Sequence, residues 1–239
     1  MASLSGLRDN DPKANHKSLT LISKTCDDTP LVTERVMAFL ARCYVGERTN
    51  RSDFSSRTLA MRILGRAKAG ESVPFVLEIL TSDKEEDVFV IEAAAEAIGY
   101  IGLPDESYAS IGDMLKNEEF NWTALQIILA LARNTNLHRR HAGEIVRLVD
   151  FVHYGACTSV KESGPDDQHL IADCVEVLVR VGGLCGRDAI GSLQHLRVWT
   201  RYVVDADAVE TLSERVNEIR DHLSDEATRF LDGVLAPYM

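Results

Sequence analysis

SVPFVLEILTSDKEEDVFVIEAAAEAIGYIG, residues 72–102, reads as two short helices joined by an acidic corner. Ser72 is a capping residue type, and Pro74 falls in the first turn, where a missing N–H costs little. Val73, Val76, Leu77 and Leu80 then recur at i, i+3, i+4 and i+7 and form one apolar helix face. The corner, Thr81 to Asp87, places its acids at the start of the next helix, where the positive end of the dipole favours them. They read as cap chemistry rather than a metal site. The second helix runs from about Asp87 to Gly102. Ile91, Ala94, Ala95, Ile98 and Ile101 make one apolar face, and Val90, Ala93 and Ala97 widen it. Only Glu92, Glu96 and Tyr100 leave a polar stripe. A helix apolar around most of its girth packs on more than one side, and its alanines let neighbours come close.

The pattern recurs. Leu64-Gly65 in RTLAMRILGRAKAG (57–70) and Ile98-Gly99 match 34 positions apart, from 64 to 98. DCVEVLVRVGG (173–183) matches with Glu176 over Glu96, and NWTALQIILALARN (121–134) with Gln126 over Glu96 if Leu125 and Leu129 are buried. Amphipathic partners lie between them at 107–116 and 142–152, and 31–45 pairs with the helix at 55–68. No segment has the strict alternation of a half-buried strand, so the chain is expected to be all-α.

On these residues the chain resembles the HEAT-repeat family. The carriers are Val73-Pro74, Leu77, the acidic corner and Ala94-Ala95-Glu96-Ala97-Ile98-Gly99. The recognisable units cover about 55–134, with a divergent unit at 168–200. The family's arginine near the start of the second helix is matched by Arg57, but Ile91 stands there in the best repeat. The resemblance implies an α-solenoid whose second helices line a concave face, and HEAT arrays are mostly protein-binding scaffolds. Residues 1–15 are expected to be a flexible tail. Residues 16–239 are expected to be a single domain closed by capping helices at 205–223 and 224–235. Gly155, Gly164 and Pro165 mark 153–168 as a long loop.

Stacking the second-helix stripes gives a candidate partner-binding groove: Arg62 and Arg66; Glu92, Glu96 and Tyr100; Trp122, Gln126 and Arg133; Asp173, Glu176 and Arg180. The side chains of Glu92, Glu96, Tyr100, Trp122, Gln126, Asp173, Glu176 and Arg180 are expected to be exposed on one common face. Aromatic and arginine anchors suit a protein interface. The competing reading is a solvated helix face laced with internal salt bridges. His138, Arg139, Arg140 and His141 form a basic cluster that reads as a helix start beside carboxylates. The two histidines are three apart, a spacing that can bind metal, but no cysteine or carboxylate converges on them in the sequence, so no metal site is expected.

The 239 residues are 45% hydrophobic and 26% charged, ordinary for a globular chain. The net charge of -11 argues against general affinity for DNA, RNA or anionic membranes, which depends on lysine and arginine. No run is long enough to span a bilayer, and the N-terminus has no apolar signal region. The five cysteines are odd in number and widely spaced, as expected of reduced, buried thiols in a cytoplasmic protein. There is no phosphate-binding Gly-Lys loop and no G-x-S-x-G elbow, so no cofactor is expected. Nothing marks a bilin site of the phycobilin-lyase kind. The His-Glu pairs by which deoxyhypusine hydroxylase holds iron do not occur. The leading expectation is a non-enzymatic module that binds a protein partner, a scaffold or an acidic antitoxin or immunity protein that masks a basic toxin. The alternative is a HEAT-like DNA glycosylase acting on alkylated bases, for which Trp122, Trp199, Asp173 and Arg180 supply the residue types.

Overall fold

Capping chemistry sets the helix boundaries that periodicity leaves open. The computed structural model describes residues 6–8, 11–25, 29–45, 54–82, 84–163 and 168–185, with isolated positions between 214 and 233. Among the described residues the architecture is all-α, without a strand. The chain divides into two compact units, Met1–Leu103 and Pro104–Met239, where the sequence suggests one domain from residue 16.

The first unit holds α1 (Pro12–Thr25), α2 (Pro30–Cys43), α3 (Phe54–Arg66), α4 (Val73–Leu80) and α5 (Val88–Ile101). Thr29 caps α2 by accepting from the Val32 N–H, with Pro30 at the first helical position. Asp87 caps α5 by accepting from the Phe89 and Val90 N–H groups, the role expected of the acidic corner. Ser72 differs from expectation. It ends a 3-10 turn running into α4, and its hydroxyl donates back to the Ala69 carbonyl at 2.6 Å instead of capping. Gly102 closes α5 at φ 94°, a left-handed conformation that disfavours side chains.

α3 and α5 share the main interface of this unit, α1 and α2 pack on α3, and α4 packs on α5. Ile63, Leu64, Val76, Ala94 and Ile98 are buried there. Gly65 explains the closeness: a Cβ at this position would stand 2.7 Å from the Ala97 Cα. The matched small residues of the repeat are thus where two helices touch. Two parts of the expected N-terminal tail are described. Leu7 is 1% exposed and α1 already begins at Pro12. A buried leucine in a polar segment is anchored by apolar surface that local composition does not reveal.

A buried ion pair ties the corner to the helices. Arg57 on α3 donates from Nε to Glu85 Oε2 at 2.9 Å and from Nη2 to Oε1 at 3.3 Å. Tyr44, after α2, donates to Glu85 Oε2 at 2.6 Å, and the Glu86 and Asp87 N–H groups donate to Oε1. Burial pushes the Glu85 carboxyl up, but the hydrogen bonds from Tyr44 and Asp87 and the charge of Arg57 outweigh it and hold it below the ordinary carboxylate range. Burial, then Glu85, push the Tyr44 hydroxyl well above its ordinary value.

The second unit holds α6 (Tyr108–Lys116), α7 (Asn121–Arg133), α8 (Arg139–Ser163) and α9 (Gln168–Cys185). α6 packs on α7 and α8, and α9 packs on α8 and α7. Ile111, Leu125, Leu129, Val149, Val177 and Leu178 fill the centre. α8 continues to Ser163, so most of the loop expected at 153–168 is helix. Gly155 sits in it with nothing near its missing side chain, and one glycine costs a long helix only about 1 kcal/mol. The capping helices expected from 205 onward lie largely outside the described residues.

Candidate functional site

In the first unit the stripes of α3 and α5 run side by side. Phe54 and Phe89, one at the start of each helix, stack with ring centroids 5.8 Å apart. Two turns further along, Arg62 Nε lies 3.5 Å from Glu96 Oε2. These pairs progress in the same direction along both helices, so α3 and α5 are parallel. Their sequence offsets, 54 to 89 and 62 to 96, are close to the repeat shift. Glu92 and Tyr100 are exposed on the same face of α5. Arg66 is different: it donates to the Ser23 and Ile22 carbonyls and closes the C-terminal end of α1. Phe54 and Phe89, 47% and 61% exposed, were not in the predicted groove. Their signal was available, since each is a large apolar residue on the stripe side of its helix.

In the second unit the stripes of α7 and α9 bind each other. Gln126 donates to Asp173 Oδ2 at 2.6 Å. Arg133 grips Glu176 with two hydrogen bonds, Nε to Oε1 at 2.7 Å and Nη2 to Oε2 at 2.6 Å. Arg180, one turn beyond Glu176, adds Nε to Oε1 at 2.8 Å. Burial raises the Glu176 carboxyl, but Arg133 first and then Arg180 outweigh it and hold it below the ordinary range. Asp173 and Glu176 are 6% and 1% exposed, so the expectation that both stand open on the groove is corrected. The cause is pairing: α9 turns its two acids into the α7 interface, where the Gln126 amide donates to Asp173 and the Arg133 guanidinium pairs with Glu176. Trp122 is half-buried at the start of α7, neither core nor free anchor.

A third cluster gathers where the turn before α6 meets the entry to α8. Asp105 lies in the 3-10 turn before α6, and His138 and His141 lie at the entry to α8. His138 Nδ1 is 2.5 Å from Asp105 Oδ1, and His141 Nε2 is 3.4 Å from the same oxygen. Arg140 pairs with Asp105 Oδ2 and donates from Nε to His141 Nε2 at 3.2 Å. Beneath them Tyr108, 4% exposed, stacks on the His141 ring at 4.1 Å and 8°. Its hydroxyl accepts the His138 backbone N–H at 3.2 Å. Burial, then the charges of Arg140 and His138, hold the His141 imidazole below its ordinary value. The sequence reading missed Asp105 and Tyr108, 33 and 30 residues before His138.

No protein-family model matches the chain, and no curated protein or solved structure matches it. Among the described residues no helix is long and apolar enough to cross a membrane.

Proposed function

We propose that the chain is a non-enzymatic protein-binding module, a HEAT-like α-solenoid that works as a scaffold in the cytoplasm. The helical hairpins support the architecture: within each unit the second helices of successive hairpins, α3 with α5 and α7 with α9, pack on each other.

The observation that carries the binding reading is the Phe54–Phe89 pair. Two stacked aromatic rings half in water form an apolar patch on the same helix pair as the charged Arg62–Glu96 contact two turns away, the composition of a protein interface anchor. The net charge of -11 favours a basic protein partner, and an antitoxin or immunity protein is one form of this reading. The glycosylase alternative is less well supported, because Asp173 is held by Gln126 and Arg180 is held on Glu176 between α7 and α9.

The chain used as bait identifies a partner, which is then purified and titrated. Phe54→Ala with Phe89→Ala is expected to weaken binding by ~2 kcal/mol, roughly 30-fold, as the remaining exposed ring area is no longer buried. Unchanged affinity with a folded double variant removes this face as the binding site. Release of alkylated bases from treated DNA would replace the scaffold reading with the enzyme.

A further inference from the structure

We propose that Asp105, His138 and His141 form a binding site for a divalent transition-metal ion of the zinc class, in which the Arg140 guanidinium holds the cation's place until the metal displaces it. The three ligand atoms, one carboxylate oxygen and two imidazole nitrogens, lie within 4.8 Å of one another. A tetrahedral ion with bonds of about 2.1 Å sets its ligand atoms about 3.4 Å apart. His141 Nε2 is already 3.4 Å from the Asp105 oxygen, while His138 Nδ1 at 2.5 Å needs to open by about 1 Å. The His138 and Asp105 side chains are 50% and 42% exposed and have room to do so.

The ligand set selects the ion. Two imidazoles with one carboxylate suit zinc and its neighbours in the transition series, whereas magnesium and calcium require oxygen-rich cages. One buried group orients both histidines: Tyr108 stacks on the His141 ring and accepts from the His138 backbone. Three protein ligands at an exposed position leave the fourth place for water, the pattern of an open rather than a closed zinc site.

Arg140 shows that the arrangement accepts positive charge. It contacts the Asp105 carboxylate and occupies the lone-pair side of His141 Nε2, so it uses two of the three groups that a metal would need. Its side chain is 59% exposed on a flexible stem and can swing into water. An arginine that competes for the ligands gives the site a signature that a plain salt-bridge cluster lacks: removing it should strengthen metal binding.

The test uses the full chain stripped with a chelator and titrated with Co²⁺, read by visible absorption, and with Zn²⁺, read by calorimetry. The wild type is expected to bind one equivalent. Asp105→Asn, His138→Ala and His141→Ala, shown to be folded by circular dichroism, are each expected to bind at least about tenfold more weakly. Arg140→Ala is expected to bind more tightly than wild type. Zinc should raise the melting temperature of the wild type but not of Asp105→Asn, since only the folded site binds it. Absence of saturable binding, or equal binding by all three ligand variants, overturns the site. A thiolate-to-cobalt charge-transfer band overturns it too, because the metal would then sit on cysteine. An Arg140→Ala protein that binds no more tightly removes the placeholder role.

Discussion

Gly65→Ala probes the closest approach of two helices in the first unit. The added Cβ would lie 2.7 Å from the Ala97 Cα and 3.1 Å from its Cβ. Carbon atoms pack comfortably at about 3.5–4.0 Å, so α3 and α5 must move apart by about 1 Å. The atom in the way is helix backbone, which cannot swing aside as a long side chain would. Separation loosens Ile63, Leu64, Ala94 and Ile98 together, and forced overpacking of this kind costs about 1–3 kcal/mol. Gly65 is the next-to-last residue of α3, so alanine returns at most about 1 kcal/mol of helix propensity, and at that full return the expected net loss is roughly 0–2 kcal/mol. Two other glycines calibrate the result. Gly143 on α8 has nothing within 4 Å, and Gly143→Ala should gain up to about 1 kcal/mol. Gly112 on α6 meets only the Leu148 Cδ1 at 3.2 Å, a side-chain end that can yield, and Gly112→Ala should be near neutral. Urea denaturation followed by far-UV circular dichroism measures all three. If Gly65→Ala stabilises the protein as Gly143→Ala does, α3 and α5 do not cross at this point.

Two further outcomes follow from the buried acids. Glu85 has its carboxyl held below the ordinary range in the folded protein, so its stabilisation is complete above the unfolded value near 4.3 and is lost as pH falls through the folded value. Glu85→Gln should therefore flatten the loss of stability below about pH 4.5, and an unchanged slope would contradict the clamp. Glu176→Ala leaves Arg133 and Arg180 without their carboxylate. Breaking a buried pair costs about 3–5 kcal/mol, reduced here to about 2–3 because Arg133 is 43% exposed and can rehydrate. Thermal melts of Glu176→Ala and of Arg62→Ala, expected to cost under about 1 kcal/mol, test that ranking.

What the sequence made legible was local. The periodicities at 73–80 and 91–101 gave α4 and α5, because a helix face is written within a few turns. The burial of Leu125 and Leu129, and hence the rotation of α7, followed from the same rule. The misses at the candidate sites are pairings at a distance. Glu85 looked like one acid among several in a corner until Arg57 and Tyr44, 28 and 41 residues away, closed on it. Asp173 and Glu176 looked solvent-facing because a carboxylate on an apolar helix has only one polar side, and nothing local says that Gln126, 47 residues earlier, covers Asp173 or that Arg133, 43 residues earlier, covers Glu176. Asp105 belongs with His138 only because the turn before α6 and the entry to α8 end in the same place.

A polar stripe on an apolar helix therefore has two outcomes, and the partner across the interface decides between them. On α3 and α5 the stripe meets Arg62 with Glu96, 61% and 44% exposed, an ion pair that high-dielectric water screens and that contributes about 0–1 kcal/mol. Such a pair can be exchanged for contacts to a ligand at little cost, and the adjacent Phe54 and Phe89 supply apolar area to bury. On α7 and α9 the corresponding acid is 1% exposed and holds two arginines. Opening it would leave a desolvated charge, so this stripe acts as a fastener between helices. If the first unit binds a partner as proposed, contact is expected at the aromatic end of the α3–α5 face. In the second unit the buried ladder is closed to a ligand, and the proposed metal site uses the exposed histidine cluster instead.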